Sequence, residues 1–209
     1  MSRENAIKRA HNYYDNCELI IKDMCALTEG TEAVIDEDRA VTEFDIIMLS
    51  LLFSQAIVDG DFCKEEVEFI KSFPNADNFF KFFTIEEDKE LTWDKVFNMD
   101  NSQQKALASG INDLLNDTAN EFAFKFAVID AVSPENELVE IALNLAQIAL
   151  LLSEADGESS SEEIDLFQTY TKELILGKWA YYVNAIDGAS GEDVEEYEYD
   201  EESESGESQ

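Results

Sequence analysis

From Arg3 to Leu27 apolar side chains return every three or four positions, at Ile7, Ala10, Tyr14, Cys17, Ile21, Met24 and Cys25, which predicts a helix with one buried face. Thr28-Glu29-Gly30-Thr31 closes it. After a polar connection through Asp36-Glu37-Asp38, a second helix is predicted from near Val41 to Val58. Phe44, Ile47, Met48, Leu51 and Leu52 form one stripe of it, and Ile46, Leu49, Phe53 and Ile57 fill the opposite side. A helix apolar nearly all round belongs at the centre of its fold. Gly60 suits a helix-terminating left-handed position. Lys64 to Phe73 reads as the next helix, broken by Pro74-Asn75-Ala76-Asp77. Between Asn78 and Trp93 the aromatic pairs Phe79-Phe80 and Phe82-Phe83 precede Glu86-Glu87-Asp88, predicting one or two short helices with their phenylalanines inward. Ser102 to Ala131 is a long helical stretch with a break expected near Asn116-Asp117-Thr118 and with Ala106, Ile111, Leu114, Leu115, Phe122, Phe126 and Ile129 buried. Ser133 and Pro134 open a helix running to Ala155, and Ser160 with Glu163 forms a capping box for one ending near Tyr182.

The pattern also repeats. Leu51 to Ile70 and Ile148 to Phe167 align without a gap at an offset of 97 residues, placing Asp59 on Asp156, Gly60 on Gly157, Glu65 on Glu162 and Glu66 on Glu163. Extended outward, the copies cover about 43–73 and 140–170, and Glu43 falls on Glu140. The chain therefore reads as two versions of one helical unit within a domain spanning about 1–182.

Composition then narrows what such a domain can do. With 45% hydrophobic residues in 209 the chain can build a substantial core. Its 14 Lys+Arg against 48 Asp+Glu give a formal charge of -34, which argues against nucleic acid or an anionic membrane as partner and favours cations and basic protein surfaces. Adaptation to high salt would explain the same charge with no partner at all. Asp187 to Gln209 holds eleven acids and no base, leaving a net charge of about -23 before it. That stretch has too few apolar groups to offset about 1 to 2 kcal/mol of ordering entropy per residue and is expected to be a disordered acidic tail. It reads as solubilising, or as a dock for a basic partner through Tyr197 and Tyr199. The N-terminus lacks the apolar run of a signal peptide, and the apolar stretches around Ile46 to Val58 and Ile141 to Leu152 read as too short and too interrupted to span a bilayer. Cys17, Cys25 and Cys63 make no disulfide framework or C-x-x-C site, which fits a reducing cytoplasm.

The candidate chemistry lies at the two turns. Asp59 and Asp156 each follow the C-terminal end of an apolar helix, where the helix dipole disfavours negative charge by about 0.3 to 1 kcal/mol. Glu66 and Glu163, with Glu65 and Glu162 beside them, open the following helices, and Asp61 and Glu158 lie between. An oxygen-only anionic cluster suits Ca²⁺ or Mg²⁺ and not zinc. It is not an EF-hand, because counting from Asp59 the sixth place is Lys64 and the twelfth Ile70, and copy two has Phe167 at the twelfth. The competing reading is purely structural: the aspartates accept hydrogen bonds from the next helix's free amides and the glutamates favour its positive end. His11 reads as a solvated surface residue and the cysteines as buried or idle thiols. No phosphate-binding glycine loop, His-Glu-x-x-His or Gly-x-Ser-x-Gly occurs, so no enzyme is indicated.

An apolar helix ending in Ala-Asp-Gly with a glutamate seven residues after the aspartate, present twice about a hundred residues apart in an all-helical chain, resembles the bacterial tellurite-resistance TerB-like domains. The resemblance covers Val41 to Leu176 and rests on Val58-Asp59-Gly60 with Glu66 and Ala155-Asp156-Gly157 with Glu163. It implies an all-α, compact, pseudo-twofold bundle of about seven helices and an acidic cluster tied to divalent cations and stress-response assemblies. The ligands it implies are Asp59, Glu66, Asp156 and Glu163, with Asp61, Glu65, Glu158 and Glu162 as helpers. Val58 in place of alanine, Cys63 where copy two has Ser160, and the unaligned 75–93 stretch depart from the pattern, as does the acidic tail. The expected function is a non-enzymatic, cation-binding interaction or stress-response module. The alternative is a metal-free adaptor that binds basic partners through its acidic surface and tail.

Overall fold

A computed structural model describes residues 2–31, 34–58, 62–83, 91–130 and 137–154, together with Asp165 and Gln168. Among them the chain forms six α-helices and a 3-10 helix and no strand: α1 (Arg3–Leu27), α2 (Glu37–Ile57), α3 (Lys64–Ile70), the 3-10 helix Ala76–Phe83, α4 (Trp93–Phe97), α5 (Asn101–Asp130) and α6 (Glu137–Ser153). The protein is all-α. Ser133, Pro134, Ser160 and the stretch 187–209, to which the sequence assigned helix starts and a tail, lie outside the described residues.

Four long helices set the architecture. α1 packs along α6 and α2 along α5. Exchanging α1 with α5 and α2 with α6 turns each of these pairings into the other, which is the packing signature of a pseudo-twofold axis. The burial pattern follows the same exchange. Ala6, Ala10, Cys17, Ile21, Met24 and Cys25 of α1 correspond, at a constant offset, to Gln104, Ala108, Leu115, Ala119, Phe122 and Ala123 of α5, and all twelve are buried. Glu43, on α2, and its counterpart Glu140, on α6, each reach across to the paired helix. Glu43 takes Lys125 Nζ on both oxygens at 2.9 Å, and Glu140 accepts from Asn16 Nδ2 at 2.9 Å. The repeated glutamate outside the turns thus joins the two helices of each pair.

α2 is the core helix its sequence predicts, but it starts a turn earlier than Val41. Asp36 is its N-cap, accepting from Arg39 N at 2.8 Å, and Glu37 and Asp38 complement its positive end. The acid run that resembles a connection is a helix start. α2 also has the length and apolarity to cross a bilayer, contrary to the sequence reading, with a mean hydropathy of 1.5 over its apolar window. That window is 78% buried within the protein, so the apolarity is that of a core helix packed on several sides.

The aromatic segment that defied alignment packs around Phe53 of α2. Phe62, Phe79, Phe80 and Trp93 surround its ring with centroids 5.5 to 5.9 Å away, mostly edge to face, the geometry that aromatic quadrupoles favour. Trp93 Nε1 donates to the Ala76 carbonyl at 2.9 Å, closing α4 over the 3-10 helix. α5 is continuous through Asn116-Asp117-Thr118, where a break is expected from weak helix propensity. The buried Leu115, Ala119 and Phe122 hold that stretch against the core while Asp117 stays in solvent. α5 begins at Asn101, not Ser102, behind a capping box. Asp100 accepts from Gln103 N at 2.9 Å, and Gln103 Oε1 accepts from Asp100 N at 3.2 Å. Ala106 is exposed, and Gln104 and Ala108 hold the buried places beside it.

Candidate functional site

Of the eight acids assigned to the two turns, Glu65 and Glu66 are described, both in the first turn of α3. Asp59, Asp61, Asp156, Glu158, Glu162 and Glu163 lie outside the described residues. Glu66 is 3% exposed, and its Oε2 accepts the Cys63 amide at 2.8 Å. The Cys63 sulfur faces the Glu66 amide in return, so the pair forms a capping box at the start of α3. Cys63 therefore occupies the position the sequence gives to Ser160 in copy two, and in copy one it performs the N-cap role despite lacking a hydroxyl. Glu66 has a structural task whatever else it does. Among the described residues no three His, Cys, Asp or Glu side chains converge as a metal cage.

The helix ends from which the two Asp-Gly turns depart are, however, neighbours. Gln55, in the last turn of α2, donates from Nε2 to the Ala149 carbonyl at 3.0 Å and also bonds Ser153 Oγ at the end of α6. Gln55 and Ser153 are both buried, so this junction sits inside the molecule where the two copies meet. Gln55 Oε1 is buried with no hydrogen-bond partner among the described residues, four positions ahead of Asp59. An orphaned buried acceptor costs about 1 to 3 kcal/mol, which calls for a donor or a cation close by. Next to it, Ser54 Oγ donates to Asn112 Oδ1 at 2.5 Å, adding a polar seam between α2 and α5.

A second polar cluster is built by α1, α2 and the turn after α3. Asp45 is 1% exposed. It accepts from Tyr14 Oη at 2.9 Å and from Asn75 Nδ2 at 2.6 Å. Asn75 sits at φ 60, a left-handed position that asparagine tolerates better than most residues. Burial pushes the Asp45 carboxyl up to about 6, with Glu18 adding to the rise and the two hydrogen bonds opposing it. Burial and the Asp45 carboxylate push the Tyr14 phenol upward as well.

Nucleophilic chemistry finds no support in these surroundings. Burial drives the Cys17 and Cys63 thiols up to about 12 and Cys25 up to about 11, so none is a thiolate at neutral pH. His11 is not the solvated residue expected. It is half-buried, stacked on Phe73 at 4.8 Å, with Nε2 3.1 Å from Ser72 Oγ. Ser72 gives its proton to the Phe69 carbonyl at 2.7 Å, so its oxygen can accept from the Nε2–H tautomer of His11.

At the opposite end of α2 from the Asp-Gly turn lies an open apolar groove of about 650 Å³ between the ends of α1 and α5 and the start of α2. Leu27, Val34, Phe124 and Val128 line it and are 49 to 60% exposed, with Ile35 and Ile129 deeper. A smaller cleft of about 470 Å³ lies between α3 and α4, with Lys64, Lys71 and Trp93 on its walls. The sequence reading missed the large groove because its walls come from three separate stretches of chain. No family model, curated protein or solved structure matches the chain.

Proposed function

We propose that this protein is a non-enzymatic interaction module whose two Asp-Gly turns form one acidic face that binds a divalent cation, as the TerB-like resemblance implies, and that it works in the reducing cytoplasm. The observation that carries the reading is the Gln55 junction. It holds the ends of α2 and α6 together, so the two Asp-Gly segments leave from adjacent helix ends, and Gln55 Oε1 at that junction is a buried acceptor with no partner among the described residues. Ca²⁺ or Mg²⁺ is the ion such an all-oxygen set would prefer. Calorimetric titration of each ion into the whole chain and into Asp156→Asn tests this. A saturable component near micromolar affinity should be present in the parent and absent in the variant, while weak uptake by the remaining acids stays common to both.

A metal-free adaptor for basic protein partners is the second reading, and the engagement of Glu66 in the α3 capping box favours it. It replaces the first if no saturable component appears and Asp156→Asn only lowers the melting temperature.

A further inference from the structure

We propose that Asp45, Tyr14 and Asn75 form a pH-sensitive latch, which holds the turn 71–75 against α1 and α2 while the Asp45 carboxyl is protonated and lets it open once the proton is lost. The device does not rest on the cation reading. Asp45 lies about 18 Å along α2 from the helix end that leads to the Asp-Gly turn.

The internal repeat shows that the fold needs no acid at this place. At the offset of 97 residues Asp45 falls on Ala142 of α6, which is fully buried, so a methyl group fills the equivalent position. Copy one instead buries a carboxyl group there, which is unfavourable unless its partners compensate. Both partners come from other elements, Tyr14 from α1 and Asn75 from the turn, and they donate to its two oxygens.

Asn75 is the movable member. Its residue is exposed and its backbone stands at φ 60, a conformation that residues with a side chain adopt at a cost. α3, ahead of it, is fastened by the Cys63–Glu66 capping box and by Arg3 on Glu68 at 2.6 Å. Beyond Ile70 the chain meets α1 and α2 through Asn75 on Asp45, His11 on Ser72, and the His11 and Tyr14 rings on Phe73 at 4.8 and 5.9 Å. Breaking the Asp45–Asn75 bond therefore loosens the turn and leaves the start of α3 in place.

The charges around Asp45 fix the direction of the switch. Glu18 of α1 faces it and opposes its ionisation, while Tyr14 and Asn75 offer neutral donors. Lys125 of α5 is held by Glu43, and Glu140 of α6 accepts from Asn16. Latched, the carboxyl keeps its proton up to about 6, chiefly because it is buried; reached by water in an open turn, it returns to the ordinary 3.8. The advantage of the latched form is thus complete below about pH 4 and is lost as pH rises through 6, and the ratio of open to latched turns grows by up to about a hundredfold. Opening frees Phe73, which is buried in the latched state, so pH sets how often that ring meets solvent.

Amide hydrogen exchange of the full chain in EDTA, followed by NMR from about pH 4.5 to 7.5 and expressed as protection relative to a free amide, tests the latch. The Ser72, Phe73 and Ala76 amides, bonded to the Phe69, Ile70 and Phe73 carbonyls, report the turn. Their protection should fall at least tenfold across this range, and urea below the unfolding transition should leave it unchanged, as a local opening requires. Asp45→Asn, a neutral side chain of the same shape, should keep the acid level of protection at every pH. Asn75→Gly, which relieves the backbone and removes the bond to Asp45, should lower protection at least tenfold already at pH 4.5. The proposal is overturned if the parent shows no fall, or if Asp45→Asn falls as the parent does, since His11 or the surface acids would then be responsible. Parent-like protection in Asn75→Gly overturns it too, as does exchange of the turn amides that urea accelerates in step with those of α6.

Discussion

Asp45 shows how much a single buried residue can control. Its carboxyl is shielded from water, and the Tyr14 and Asn75 hydrogen bonds return only part of the lost solvation, so its folded pKa of about 6 exceeds the ordinary 3.8. The native state therefore holds a proton more firmly than the unfolded chain does. The stability this confers is fully present below about pH 4 and is lost as pH rises through 6, by about 3 kcal/mol on an order-of-magnitude scale. Asp45→Asn should abolish this slope. The stability of the variant relative to the parent, from urea unfolding at pH 4.5 and 7.5, is expected to improve by about 2 kcal/mol at the higher pH. The comparison cancels the titration of the other acids, and a pH-independent difference would show that Asp45 is ionised throughout. In the sequence, Asp45 is one acid between two apolar stripes. Nothing local announces that Tyr14 and Asn75, 31 and 30 residues away, will bury it.

Elements were legible where their signals are local. α1 emerges at Arg3–Leu27 because its three- and four-residue apolar spacing runs uninterrupted between polar ends. The starts of α2 and α5 were misplaced although capping signals precede both, at Asp36 and in the Asp100 to Gln103 box, because acid-rich sequence makes a cap look like a loop. The short elements depend most on what they cover. The 3-10 helix and α4 are brief, and they are held by the ring cluster about Phe53. Phe53→Ala should cost about 3 to 5 kcal/mol. The loss should appear first as faster amide hydrogen exchange in Ala76–Phe83 and Trp93–Phe97, ahead of the long helices. Uniform loss of protection across α1 and α6 would mean that the aromatic segment is not a separable unit.

Across the whole molecule charge opposes compactness. A formal charge of -34 repels itself when the chain folds, while ion pairs such as Lys22 with Glu18 and Lys64 with Glu68 lie at the surface and contribute little. Added salt screens the first effect more than it weakens the second. Raising NaCl from about 0.05 to 0.5 M is expected to stabilise the protein by about 1 kcal/mol, or about 3 °C in Tm. A falling Tm would assign the net electrostatic advantage to the ion pairs instead.

By itself the sequence determined that the chain is all-α and that α2 is its core helix, because helix period and apolar content are read from neighbours a few positions apart. It also placed the acids that would make a cation-binding face. What only the tertiary structure decided is which of these patterns meet. Gln55 finds Ser153 across the pseudo-twofold axis, and Glu66 turns back to Cys63. Leu27, Val34, Phe124 and Val128, any of which could pass for a core residue by its composition, line one groove and keep 49 to 60% of their surface exposed. Burial is a property of what packs against a side chain, and here those neighbours come from segments far apart in the chain.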